Sequence, residues 1–219
     1  MANVIIFGLA ENSSLAHFYL KHDSEHDVVA FTVNERFLPE ERGFEGLPII
    51  AFEDVVSRYS PDDYELFAPL SPAGMNKTRE QVFRSIKAKG YRMISYVSSY
   101  ATTFPGATIG ENCFILEDNT IQPYTTIGDN VMLWSGNHIG HHGAIADHVS
   151  FTSHVVLSGR CDVESYCFFG VNAAIRDGLT IAEGSLIAMG ATVTRDTEEW
   201  KVYVGNPAKA LEKDSRTVM

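Results

Sequence analysis

The segment GNHIGHHGAIADH, residues 136–148, holds four of the eight histidines in this 219-residue sequence, and His154 follows six positions later. Imidazoles at this density ligate a metal, move protons near neutral pH, or decorate a solvated surface. Zinc demands Zn–N distances of about 2.0–2.1 Å, so several rings must converge on one point. A general base needs a single ring within reach of the proton it removes. The backbone that carries the rings decides between these uses.

That backbone has a period of six. From Ile109 an apolar residue recurs at Ile115, Ile121, Ile127, Leu133, Ile139, Ile145 and Phe151, then at Leu157, Val163, Phe169, Ile175, Ile181, Ile187 and Val193. Four residues after these positions the side chain is usually small, as at Cys113, Thr125, Gly143, Ala173, Ser185 and Ala191. An 18-residue superperiod shows in TIGEN, TIGDN, AIADH, DVESY and TIAEG, starting at 108, 126, 144, 162 and 180. Three hexapeptides therefore make one coil, and about five coils stack as a parallel β-helix whose rungs rise by about 4.8 Å. Cys113, Cys161 and Cys167 all occupy the small slot and read as packing residues, not thiolates.

On such a coil His142, His148 and His154 share one slot in successive hexapeptides and so stand at three different corners. Within one chain they cannot share a metal; a metal site would need several chains. His141 and His142 lie side by side at one corner, with His138 on the strand leading to it.

Before residue 98 the pattern differs. Short apolar runs (NVIIFG, VVAFTV, LPIIAF, ELFAPL, RMISYV) alternate with helix-like stretches such as KTREQVFRSIKAKG, which predicts a Rossmann-like α/β unit. The domains expected are 1–98 (α/β), 99–198 (β-helix) and a tail over 199–219. The first turn, FGLAENSS, has one glycine and lacks the G-x-G-x-x-G dinucleotide fingerprint. Asn76, Thr78 and Arg79 open the last helix of the unit, where they either hold an anion or simply start the helix.

A formal net charge of −11 argues against nucleic acid or an anionic membrane as partner. No apolar run reaches the roughly 18 residues of a membrane span, and the N-terminus does not read as a signal peptide. Three cysteines argue against a disulfide framework. Together these point to a cytoplasmic protein.

The hexapeptide block, the α/β unit before it and the closing VYVGNPAKAL (202–211) resemble the hexapeptide-repeat sugar acyltransferases, and more narrowly the sialic-acid O-acetyltransferase-like family, which includes N-acetyltransferases of nucleotide-linked amino sugars. The resemblance implies a left-handed β-helix, a homotrimer with sites between neighbouring helices, acetyl-CoA as co-substrate without a metal, and a sugar acceptor, nucleotide-linked in one branch. The family's catalytic histidine stands in an I-x-H-[ED] segment, which is IGHH here, so the role of general base falls on His141. His142 takes the place of the acidic residue that usually follows, and Asp147 and Asp162 are carboxylates nearby in sequence. The Gly143 N–H is a candidate oxyanion donor.

Family correspondence also assigns Ser150, Gly170, Val171, Asn172, Ala188, Met189 and Gly190 to the donor, and Asn34 and Glu35 loosely to the nucleotide. Asn137 and His138 are candidates for contact with the sugar. Trp134 is either a sugar platform or a residue of a trimer seam. O-acetylation is the alternative within the family. A zinc-dependent hydratase of the carbonic-anhydrase type and a non-catalytic sugar-binding trimer are the alternatives outside it.

Overall fold

The computed structural model describes residues 2–219. The N-terminal unit runs β1 (Asn3–Phe7), α1 (Glu11–His22), β2 (Asp27–Val33), β3 (Gly43–Phe44), β4 (Leu47–Ala51), α2 (Val55–Arg58), β5 (Tyr64–Phe67) and α3 (Lys77–Ala88). Its sheet order is β3-β4-β2-β1-β5, parallel except for the β3–β4 hairpin. This is an open α/β sheet in which β1 lies between β2 and β5. The near-continuous apolar runs of β1 and β2 fit strands covered on both faces.

From Tyr96 onward the chain winds as a left-handed parallel β-helix of two-residue strands, each paired with the strand 18 residues on. The first face begins with Tyr96–Val97, the second with Thr102–Thr103 and the third with Thr108–Ile109. Every member of the sixfold apolar series from Ile115 to Val193 is buried, and Ile109 is half-buried at the open end. Phe151 and Phe169 stack one rung apart with ring centroids 4.1 Å apart. Burying each such side chain contributes roughly 1.5–3 kcal/mol, which makes this column the main source of cohesion.

Each hexapeptide turns its corner through one residue in the left-handed region. These residues fall every sixth position: Asn112, Asp118, Tyr124, Asn130, Gly136, His142, His148, His154, Arg160, Tyr166 and Asn172 among them. Asn, Asp and Gly accept this conformation at low cost, and the bulkier residues are held there by the pairing on either side.

The two units share a core because the outward positions of the first face are mostly apolar. Tyr96, Phe114 and Met132 join Phe31, Phe67 and Ile94 of the α/β unit in one buried cluster. Further along, Leu186 packs with Met75 and Val202. The corresponding outward positions of the third face are Thr108, Thr126, Ala144, Asp162 and Thr180, which leave it polar.

Pairing starts at Tyr96, slightly before the expected boundary, and residues 199–219 close the coil. On the first face, Lys201–Val204 pairs parallel with the strand Leu186–Ile187 and antiparallel with Lys209–Asp214. On the second, the Ala208 N–H donates to Thr192 O and the Thr192 N–H to Gly205 O. On the third, just before this tail, the Thr180 N–H donates to the Asp196 carboxylate. Among the described residues no helix is long and apolar enough to cross a membrane.

Candidate active site

His141 stands at the exposed corner between the second and third faces. Its backbone is pinned on both sides: the His141 N–H donates to Gln122 Oε1 (3.1 Å), and the Arg160 N–H donates to His141 O (2.8 Å). The imidazole lies over Gly159, one rung further on. A Cβ added at Gly159 would come within 2.8 Å of its Cε1 and 3.0 Å of its Nε2, so the absent side chain is what gives the ring its place.

Two ring nitrogens meet here, His141 Nδ1 and His142 Nδ1, at 3.1 Å. His142 occupies the left-handed corner position (φ 57°), and its ring packs on Tyr124, one rung earlier, with centroids 4.7 Å apart. Neither nearby carboxylate reaches His141. Asp147 accepts from the Asp129 N–H, and Asp162 points outward from the third face as the ladder partner of Ala144. His142 is therefore the polar side chain that engages Nδ1 of His141.

His148 and His154 occupy the other two corners. His154 is exposed, with its ring over Gly136. His148 belongs to a buried ladder: Asn112 Nδ2 donates to Asn130 Oδ1 (2.7 Å), Asn130 Nδ2 meets His148 Nδ1 (2.9 Å), and His148 stacks on Tyr166. Burial lowers the pKa of His148, and the positive charges of Arg79 and Arg84 push in the same direction against Glu80 and Asp147. Among the described residues no group of three or more His, Cys, Asp or Glu side chains could hold a metal ion.

The donor positions divide. Gly170, Val171 and Asn172 lie directly below Ala188, Met189 and Gly190 at the corner between the first and second faces, with the Gly190 N–H donating to Val171 O (2.8 Å). Met189 is 77% exposed and Val171 39%, which makes a small apolar shelf. Ser150 is not part of it. Its hydroxyl is buried on the first face and donates to Asn76 Oδ1 (2.6 Å), because that face is covered by the α/β unit.

Two acceptor assignments are also corrected. Asn137 is buried inside the coil, with Nδ2 on Trp134 O and Oδ1 accepting from the Val155 N–H, so its amide is spent on the rungs. Trp134, half-exposed, packs against the core shared by the two units, so a ring expected to be free as a platform is partly spent on docking. His138 remains half-exposed on the second face, paired with Thr120 and Val156. Arg79 is fully buried and donates to Leu70 O and to Asn130, so it is no anion site at the start of α3. Burial pushes the thiols of Cys113 and Cys167 up to about 11 and about 12, as expected of packing residues.

The α/β unit has a cleft of about 570 Å³ at the C-terminal ends of β1 and β2, lined by Gly8, Asn34, Arg36, Phe37, Thr78 and Gln81 among others. In open α/β sheets ligands bind outside these strand ends. Gly8 (φ 120°) admits no side chain, since a Cβ would lie 2.5 Å from Ser13 Oγ. Asn34 lines the cleft, whereas Glu35 faces an adjoining depression with Arg42 and Arg58. Arg36 sits over the Phe37 ring at 4.6 Å, and Phe37 is 61% exposed.

Sequence reasoning missed Gln122, Tyr124, Gly159 and Arg36. Two of these follow from the superperiod: His142 minus 18 is Tyr124, and His141 plus 18 is Gly159.

Comparison with known proteins agrees with this architecture. Residues 106–141 match the bacterial transferase hexapeptide model (six repeats), and 162–195 match the hexapeptide repeat of succinyl-transferase. A Staphylococcus aureus (strain MRSA252) protein that bears an acetyltransferase name is 39% identical over 56 residues, 26% of this chain. A 2,3,4,5-tetrahydropyridine-2,6-dicarboxylate N-acetyltransferase of the same species (strain JH9) is 36% identical over 53 residues. The matches span only 28% and 22% of those relatives' lengths.

Solved structures align over nearly the whole chain. A variant of perosamine N-acetyltransferase from Caulobacter crescentus, in complex with CoA and GDP-perosamine, superposes with TM-score 0.86 at 20% identity, over 97% of this chain and 98% of that one. The acetyltransferase domain of PglB from Neisseria gonorrhoeae FA1090, in complex with acetyl coenzyme A, gives 0.83 at 20% over 95% and 98%. WeeI from Acinetobacter baumannii AYE gives 0.81 at 19% over 96% and 100%. Two segments of the chain are hexapeptide repeats, and the whole chain has the fold of these three solved structures.

Proposed function

We propose that the protein transfers an acetyl group from acetyl-CoA to the amine of a nucleotide-linked amino sugar, with His141 as general base. The observation that carries this reading is the His141 corner: an exposed imidazole, fixed by backbone bonds and seated on Gly159, whose Nδ1 is already engaged and whose Nε2 is left for a substrate.

The sugar amine attacks the thioester carbonyl carbon, forming the N–C bond while the carbonyl oxygen becomes an oxyanion. Nε2 of His141 takes the proton the amine loses; a positioned base contributes about 10²–10⁴ in rate. Collapse of the intermediate breaks the C–S bond, and the departing thiolate recovers a proton from the imidazolium. The products are the N-acetyl sugar and CoA thiol, with His141 neutral again. The Gly143 N–H, two residues on, is the proposed oxyanion donor.

The cofactor's amide-rich arm runs along the Val171 and Met189 corner, where strand-edge backbone groups and the apolar shelf suit it. No metal takes part. The nucleotide sits in the cleft beside Asn34, with Arg36 for its phosphates and Phe37 for stacking. His141 and the shelf stand at opposite ends of the second face, so one chain does not bring them together. A homotrimer in which the second face of one copy lies against its neighbour would, and Tyr124 and Val156, 64% and 43% exposed, supply apolar surface for it.

The test is acetylation of a panel of nucleotide-linked amino and neutral sugars with acetyl-CoA, read by mass and by thiol release. N-acetyl product with wild-type protein, lost in His141→Ala while the oligomer persists by light scattering, is the expected result. Near-normal turnover in His141→Ala would remove the central assignment.

A further inference from the structure

We infer that His142 is a positioning residue that fixes the tautomer of His141, doing with a neutral ring what a carboxylate would otherwise do; the inference rests on the reading of His141 as general base. Two imidazole nitrogens 3.1 Å apart can share one hydrogen bond only if one carries the hydrogen and the other a lone pair. Either His141 Nδ1–H donates to His142, or His142 Nδ1–H donates to His141. In the first arrangement His141 presents a lone pair at Nε2. In the second it presents Nε2–H and cannot accept a proton there. Only the first is a base.

The corner holds the His142 ring in place beside His141. Its backbone sits in the left-handed region, tied by its own N–H to Pro123 O at 3.4 Å, and Tyr124 covers one face of the ring. The other charged group of this corner, Arg160 one rung on, has its guanidinium bound to Asp177 at 2.8 Å. The titratable groups facing His142 are thus His141 and Tyr124. With His142 in the Nε2–H form its Nδ1 accepts from His141, and the hydrogen bond becomes charge-assisted once Nε2 of His141 gains its proton. The second ring orients the first and shares the charge that develops on it.

The test combines a spectroscopic and a kinetic arm. In protein labelled with ¹⁵N-histidine, at about pH 8, above the ordinary histidine range near 6.5, His141 is expected as the Nδ1–H tautomer in the wild type. That signal should be lost in His142→Ala and regained in His142→Glu and His142→Gln, whose side-chain oxygens accept. All three variants carry a similar left-handed backbone cost, so the comparison is internal. Kinetically, His142→Ala should lower kcat at least about tenfold with both KM values held, and His142→Glu should restore it.

Finding Nε2–H on His141 in the wild type, or an unchanged tautomer or kcat in His142→Ala, overturns the inference. If no sugar is acetylated at all, the functional reading fails while the tautomer arm still decides the role of His142. An active enzyme with the wrong tautomer fails the inference alone.

Discussion

The buried guanidinium of Arg79, on helix α3, donates to both the backbone oxygen (2.8 Å) and the side-chain oxygen (3.0 Å) of Asn130, at a corner of the β-helix. No carboxylate answers this charge. Burial, opposed in part by Cys113, pulls the Arg79 pKa down to about 10, and carbonyl oxygens of Leu70 and Asn130 take the place of a counter-ion. The arrangement locks α3 to the coil.

Arg79→Met should therefore loosen the junction. It relieves a buried charge but strands buried acceptors, each costing about 1–3 kcal/mol, so a net loss of about 1–3 kcal/mol is expected. Urea unfolding followed by tryptophan fluorescence checks it, since both tryptophans, Trp134 and Trp200, pack in clusters at this junction.

Gly159→Ala should separate activity from stability. The new methyl group would occupy the space beside Cε1 and Nε2 of His141 and force the ring aside. A displacement of about 1 Å can cost about 10² in rate. Turnover should fall by that order while the melting temperature stays near that of the wild type.

Acid should weaken the fold in two stages. His148 has a folded pKa lowered by burial, so the unfolded chain binds its proton more readily; the stability it contributes is present above about pH 6.5 and declines as pH falls below it. Asp23 behaves likewise at lower pH. Burial would raise its carboxyl, but hydrogen bonds from Ser99, Tyr96 and Ser98 outweigh that and hold it at about 2. Its contribution is present above about pH 3.9 and is lost as pH falls toward 2. Urea midpoints measured against pH should show both declines, the first absent in His148→Asn and the second in Asp23→Asn.

Arg36 is the cation of the α/β cleft. Arg36→Ser should raise KM for a nucleotide-linked acceptor about tenfold, the loss of about one charge-assisted hydrogen bond. Neither kcat nor KM for acetyl-CoA should move. Steady-state kinetics with each substrate varied in turn decides it.

Ile145→Asp should abolish folding of the coil. Ile145 is 1% exposed and pairs in the ladder with Ile127 and Val163. An unpaired carboxylate there costs more than about 4 kcal/mol. Loss of the far-UV β signal, or recovery only in inclusion bodies, is the expected outcome.

The core of the β-helix was legible because the sixfold alternation of inside and outside is a local rule that each hexapeptide states for itself. Separation of His142, His148 and His154 onto three corners followed from the same count. What escaped depends on neighbours that sequence order does not name. Asn137 reads as a surface polar residue, yet the next rung's Val155 N–H satisfies it inside the coil. Ser150 and Trp134 lie on the face the α/β unit covers, and their proposed ligand contacts give way to docking contacts. The apolar outward column Tyr96, Phe114, Met132 and Phe168 was the available sign that one face is not solvated.

The hairpin of Lys201–Val204 with Lys209–Asp214 has a meaning beyond local pairing. A stack of identical rungs has no intrinsic length, and each bare end is a template on which another chain can add its own strands, the route to fibrils. Here the last rung of the first face meets an antiparallel strand of sequence KALEKD, while Ala208 and Asp196 occupy the edges of the other two faces. Reversed direction and charged side chains make that end unreadable to a further rung. The protein thus terminates its own polymer.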